Sequence, residues 1–246
     1  MKYLDSVQDF FKSPRWGMNL LLAGVCSLIP VVGPMVVLGW LLGGFWGRDD
    51  TNPATFPDFK FDRFADWLKR GLWPMLVGLV ISFVAAPVMW LIMFVPMMAV
   101  GALAGGSDHH NSGGAGLLGL LMMVVVIVVV IAFQLALALF VKPLMLRACL
   151  LQDFGKAFDF RWCLRFVKLT WLESILAFLF LMVVGVAFEF VGLLALCVGV
   201  LFIFGPIYFA WVHLDQQIYK LFVQRGGEPL PISPLLRDGP PAGPFA

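Results

Sequence analysis

Residues 72–141 contain no lysine or arginine, and neither do residues 17–46 or 169–219. In a soluble domain about one residue in four is charged. Here charged residues make up 13% of the chain and hydrophobic residues 61%. Backbone polar groups in hydrocarbon must be satisfied within their own segment, so apolar runs of this kind form helices. About 20 consecutive apolar residues make one span. The pattern predicts an all-α, polytopic helical membrane protein with about four transmembrane helices. The net charge of +2 is too small to argue for nucleic acid.

The spans are placed by their breaks. Residues 72–103 form one, with Pro74, Pro87 and Pro96 inside it, and residues 115–141 form a second without a breaker. Between them lies the polar loop AGGSDHHNSGG at 104–114. Residues 169–219 suffice for two more spans joined near Gly192–Gly199. Residues 17–46 differ, because Pro30, Gly33 and Pro34 place turn chemistry in the middle of an uncharged run. Two readings compete there: one kinked span, or a re-entrant hairpin of two half-helices. Each half-helix would be about 20 Å long, too short for a hydrocarbon core of about 30 Å. Gly39 and Gly43, one turn apart, would permit the close packing that a buried hairpin needs.

The basic residues decide orientation. Three lie in residues 1–16, five in 47–71, six in 142–168 and three from 220 onward. All of them fall on one side if 72–103 with 115–141 makes one hairpin and 169–219 makes another. A re-entrant 17–46 adds no exception, whereas a single span would, and the hairpin is preferred. The SDHH loop is then external, and both termini are cytoplasmic. Asp5 and Asp9 interrupt what would be the charged region of a signal peptide.

The charged stretch Asp58–Trp73 reads as an amphipathic helix lying in the interface plane. Phe61, Phe64, Ala65, Leu68 and Leu72 make its apolar face; Asp62, Arg63, Asp66, Lys69 and Arg70 make its polar face, with Trp67 at the border. The pattern recurs 99 residues later, where Phe61 becomes Phe160, Trp67 becomes Phe166 and Lys69 becomes Lys168. Asp62 and Asp66 become Arg161 and Arg165. A weaker third copy covers residues 1–16. The chain divides as one membrane domain, 1–225, built of units 1–46, 47–151 and 152–225. A proline-rich cytoplasmic tail follows at 226–246, extended and without a core of its own.

Ser27-Leu28-Ile29-Pro30-Val31-Val32-Gly33, then Leu38-Gly39-Trp40-Leu41-Leu42, then Phe56-Pro57-Asp58-Phe59 leading into the amphipathic helix and Gly71, resemble an uncharacterised prokaryotic multi-pass membrane protein family, domain of unknown function 4013. The resemblance covers the chain to about residue 225. It implies a multi-pass protein of a bacterial or archaeal cytoplasmic membrane and supplies no activity and no catalytic residues. Phe158-Asp159-Phe160-Arg161 departs from the acidic pattern of the first entry.

No catalytic or phosphate-binding motif is visible, and the four cysteines show no metal or disulfide spacing. Asp108, His109 and His110 lie on a glycine-rich loop without the fixed geometry of a metal site. Glu173 and Glu189 fall near the inner and outer interfaces. His213 and Asp215 sit where a helix emerges into headgroups, and a His/Asp contact is conceivable there. Gln134 is the deepest polar residue, an interhelical hydrogen-bond former in most such settings. Pro30, Gly33 and Pro34 form the hairpin turn. The expected lipid or partner surface is Arg161, Trp162, Arg165, Phe166 and Lys168, with Trp67, Lys69 and Arg70 in the first copy.

These features point to a non-enzymatic scaffold or subunit of a membrane complex, without cofactor. Its expected partners are the bilayer with its anionic lipids and a second copy or another membrane protein. A channel or transporter for small or lipophilic solutes is the alternative, favoured by the Pro/Gly-broken segment and weakened by the lack of a matching second one.

Overall fold

The computed structural model describes residues 1–50, 52–105, 112–194 and 199–237. Helices α1 (Tyr3–Phe11), α2 (Trp16–Ser27), α3 (Val32–Trp46), α4 (Phe64–Gly105), α5 (Ser112–Leu151), α6 (Phe154–Ala157), α7 (Phe160–Leu194) and α8 (Gly199–Gln224) follow in order, and no strand occurs among the described residues. Among the described residues three helices are long and apolar enough to cross a membrane: Phe61–Met98, Gly119–Leu151 and Phe160–Leu194. The fourth expected span, α8, has 26 residues and so is about 39 Å long. Its second half carries His213, Asp215 and Lys220.

The chain divides into two compact units. Residues 78–138 form the smaller one. Among its described side chains the large ones except Gln134 are apolar and many are turned outward: Phe83 is 83% exposed, Met97 70% and Leu117 73%. A cavity of about 380 Å³ is lined only by apolar residues, among them Leu91, Val95, Pro96 and Val129.

The larger unit, residues 1–77 and 139–246, holds the core. Aromatic rings knit its helices together. Trp40 of α3 meets Phe56 and Phe59 edge-on at 5.5 and 5.3 Å, and Phe59 meets Trp67 of α4 at 4.8 Å. Phe45 and Phe10 meet Phe209 of α8 at 4.8 and 5.5 Å. Trp162 and Phe166 of α7 pack on Phe222 of α8. Such pairs contribute about 0.5–1.5 kcal/mol each beyond their buried area.

Residues 16–46 form two short helices joined by a tight turn, as the Pro/Gly break predicts. At 12 and 15 residues they are about 18 and 22 Å long. Val31 turns the chain at φ 66°, ψ −55°, and its neighbour's amide Val32 N–H donates to the Pro30 carbonyl at 2.7 Å. That is a γ-turn of the strained hand. Gly33 lets α3 lie against α2: a Cβ there would come within 2.1 Å of the Cys26 carbonyl oxygen. The outward side of this pair is apolar, with Met18, Leu21, Val25, Leu28, Ile29 and Val31 exposed.

Gly39 and Gly71 make the closest helix crossing. A Cβ on Gly39 would lie 1.8 Å from the Trp67 carbonyl oxygen, and one on Gly71 would lie 1.9 Å from that of Met35. The close packing expected of Gly39 and Gly43 is therefore real, and its partner is the first two turns of α4.

The amphipathic stretch 58–73 does not end as a separate helix, since α4 runs on from Phe64. Of its apolar face Phe61, Ala65 and Leu72 are exposed while Phe64 and Leu68 are half-buried against the core; Trp67, Arg70 and Gly71 turn inward, and Pro74 and Val77 continue that side along α4. The second copy begins α7 and is set off from the following span by a kink at Thr170, φ −134° and ψ 16°.

Candidate functional site

The surface expected around the two amphipathic stretches divides. Trp67 is 1% exposed, Arg70 6%, Trp162 5% and Phe166 1%. These four belong to the interior and cannot meet lipid or a partner, which corrects the expected surface. Each has a structural task. Trp162 donates from Nε1 to the Glu228 carbonyl at 3.0 Å, and the Arg147 guanidinium lies 5.2 Å over its ring. Arg70 donates from Nε to the Leu235 carbonyl at 2.8 Å and from Nη2 to that of Arg237 at 3.5 Å.

These contacts fasten the tail. After α8 the chain reverses at Gly226, whose φ of 82° is open to glycine without strain. Residues 227–233 then return as a strap over the core that ends in a 3-10 turn at Pro234–Leu236. Leu230 N–H donates to the Tyr219 hydroxyl at 2.7 Å, Ser233 N–H to the Leu150 carbonyl at 2.8 Å, and Leu236 is completely buried. The sequence predicts a tail that stands apart from the core, and instead its residues up to Leu236 close the core of the helices. Pro240, Pro241 and Pro244 lie outside the described residues.

Lys69, Arg161, Arg165 and Lys168 remain at the surface. Arg165 donates from Nη2 to the Gly226 carbonyl at 2.7 Å. The acids that flank α7's first turns are engaged elsewhere: Asp159 pairs with Arg147 at 3.3 Å and Glu173 with Arg225. Pro30 and Pro34 sit at the α2–α3 turn beside Gly33. Gln134 is exposed on α5. Asp108, His109 and His110 lie outside the described residues.

Two polar assemblies escape sequence reasoning. The first is a buried ion pair between Lys142 of α5 and Asp215 of α8, with Nζ–Oδ1 at 2.6 Å and side chains 8% and 10% exposed. Lys142 reads in sequence as one more interfacial cation, and only the fold brings it to a residue 73 positions away. The second is a cavity of about 90 Å³ with Asp9, Arg48, Asp50, His213, Gln216 and Lys220 in its wall. His213 stacks on Phe45 at 5.2 Å, and its Nδ1 lies 3.8 Å from Asp9 Oδ2. The His/Asp contact conceivable in sequence is thus made to a different aspartate. Asp9 already holds Lys12 at 2.7 Å, and Asp50 holds Arg48 at 3.2 Å. Asp50 also accepts from the Thr55 hydroxyl and the Asn52 amide, which keep its carboxyl below the usual range. With its charges balanced, the cavity suits water or a small polar group and selects neither sign of ligand.

Phe61, Asp62, Ala65, Asp66, Lys69 and Leu72 all face outward, and so do Phe160, Arg161, Leu164, Arg165, Lys168 and Trp171. The same positions look out from both stretches with opposite charge.

No curated protein and no solved structure matches this chain. A family model described as "Protein of unknown function (DUF4013)" matches residues 22–198, which include the second half of α2 and the whole of α3, α4, α5 and α7. That match spans well over half of the chain, and this helical protein therefore belongs to the DUF4013 family.

Proposed function

We propose that the protein is a non-enzymatic scaffold or subunit of a membrane complex, working through its apolar helix surfaces. The observation that carries this reading is the unit at 78–138. Its described helices contain no Asp, Glu, Lys, Arg or His, and large side chains such as Phe83, Met97, Leu117 and Val128 point outward. A surface of that kind is covered by lipid tails or by apolar helices of another protein or a second copy. A water path would instead need polar lining, and the cavity within this unit is apolar. Among ionisable groups in the larger unit, Lys142 and Asp215 satisfy each other.

The proposed arrangement places both termini on the cytoplasmic side of a prokaryotic cytoplasmic membrane, with α4–α5 and α7–α8 as hairpins and α2–α3 re-entering. The distribution of basic residues, the shortness of α2 and α3, and the apolar outward side of that pair support it. A cysteine placed at Ile29 should resist membrane-impermeant reagents from both sides in intact cells.

The deciding experiment is isolation of the tagged full chain from native membranes in a mild amphipol, followed by cross-linking and mass analysis. The scaffold reading expects a defined homo-oligomer or a stoichiometric membrane partner. A monomer without partners, together with solute flux in reconstituted vesicles that is sensitive to Gln134 or Pro30, would overturn it in favour of transport.

A further inference from the structure

The outward arc at the start of α7 is exposed among the described residues, and its chemistry is specific. Phe160 is 65% exposed, Leu164 57% and Trp171 52%. Arg161, Arg165 and Lys168 are exposed between them. Spacings of three and four residues put Phe160, Arg161, Leu164, Arg165 and Lys168 on one side of the helix; Trp171 follows just past the kink at Thr170, where the same helix becomes an apolar span. No acid lies on this arc. The acids flanking it in sequence, Asp159 and Glu173, are held by Arg147 and Arg225, and Glu228 is exposed on the strap that Trp162 and Arg165 bond. The hydrogen bond from Arg165 to the Gly226 carbonyl fixes its guanidinium and uses one of several N–H donors.

We propose that this arc binds the phosphate groups of anionic lipids in the adjoining leaflet, through Arg161, Arg165 and Lys168, while Phe160, Leu164 and Trp171 enter the acyl boundary. The inference rests on the membrane-embedded reading above and adds the partner's chemistry. Apolar and basic side chains alternate on one helical face, which suits the headgroup boundary, where charge and hydrocarbon lie within one side-chain length. A protein partner would need acids set among apolar residues. The equivalent arc of α4 offers Asp62 and Asp66, so pairing with a second copy is the competing occupant. Lipid is favoured because the arc continues directly into a span and carries a tryptophan at that junction. The α4 arc also supplies a built-in comparison, with the same exposure and a net charge of opposite sign.

The test uses the full chain in nanodiscs of mixed neutral and anionic phospholipid, in which one or the other is brominated. The readout is the tryptophan quenching lost on Trp171→Phe. At low salt the anionic lipid should quench Trp171 in preference to the neutral one at equal mole fraction. Basic residues near an anionic surface contribute about fivefold each, so the three together set a preference on the order of 100-fold. Arg161→Gln/Arg165→Gln/Lys168→Gln should remove it, and salt should weaken it. Arg161→Gln/Lys168→Gln, which leaves the Arg165 anchor intact, should lower it by about 25-fold on the same scale. Asp62→Asn/Asp66→Asn should leave it unchanged. Equal quenching by both lipids overturns the proposal. So does a preference that survives in the triple variant, or a change in oligomeric state without a change in quenching, which would assign the arc to a second copy. Failure of either brominated lipid to quench Trp171 would instead overturn the embedded reading itself.

Discussion

The Lys142–Asp215 pair gives the most exacting test of the core. Its Nζ–Oδ1 distance is 2.6 Å with both side chains nearly buried. At an effective dielectric near 20 the attraction is about 6 kcal/mol, before the cost of stripping water from both ions. Desolvation consumes most of that gain, so the pair itself adds little net stability. Breaking it is another matter, because the remaining charge stays buried without its partner. Asp215→Leu or Lys142→Met alone should cost about 3–5 kcal/mol, whereas Lys142→Met/Asp215→Leu should lie much closer to the parent. For a chain of this size that is a drop in Tm of roughly 6–20 °C for each single variant. Buried thiols provide the assay. Cys26, Cys149 and Cys163 are 1%, 8% and 3% exposed, so a thiol-reactive fluorophore reports unfolding in detergent, with Cys197 replaced by alanine to limit background. The double variant should recover most of the loss, a coupling energy of at least about 3 kcal/mol. Single variants that shift Tm by less than about 2 °C, or a double variant equal to their sum, would refute the pair as described.

Other expectations follow from the same geometry. Gly39→Ala and Gly71→Ala each drive a methyl group into a backbone carbonyl, so both should lose several degrees in the thiol assay; Gly17→Ala, with nothing within 4 Å, should be neutral. Leu236→Asp places a carboxylate in a fully buried position and should detach the strap. Amide exchange at Leu230 and Ser233, whose N–H groups are bonded to Tyr219 and Leu150, should then accelerate by more than tenfold while α8 stays protected. Asp153 caps α6 through the Lys156 amide at 3.2 Å, and that hydrogen bond holds its carboxyl below the usual range. A depressed carboxylate contributes fully above the unfolded value near 3.8 and loses that contribution as pH falls through the folded value. Protection of the α6 amides should therefore weaken only at strongly acidic pH, and Asp153→Ala should abolish that dependence.

Much of this architecture can be read along the chain. Runs without lysine or arginine locate the long helices, because a buried backbone in lipid has no other regular form. Pro30, Gly33 and Pro34 mark the break between α2 and α3, and Gly39 announces a close crossing. What the helical wheel of 58–73 misses is the side that meets the rest of the protein. It puts Phe61, Ala65 and Leu72 on an apolar face, and these do look outward, but it puts Arg70 on the polar face and Trp67 at the border, and both turn into the protein.

The reason is physical. In water an apolar side chain gains by burial, so hydrophobicity points to the core. Next to a bilayer that gradient vanishes, since lipid tails are as apolar as leucine. Phe61 and Phe160 are therefore stable facing outward. Inside positions are decided by close fit and by satisfied polar groups: Gly71 against the Met35 carbonyl, Arg70 on the carbonyls of Leu235 and Arg237, and Lys142 on Asp215. These partners lie up to 167 positions apart, and no local pattern encodes them. The sequence by itself determined a helical membrane chain, its breaks and the placement of its charge. Only the tertiary structure decided which side of each helix is the protein's interior, because in lipid that choice rests on packing and hydrogen bonding between distant segments.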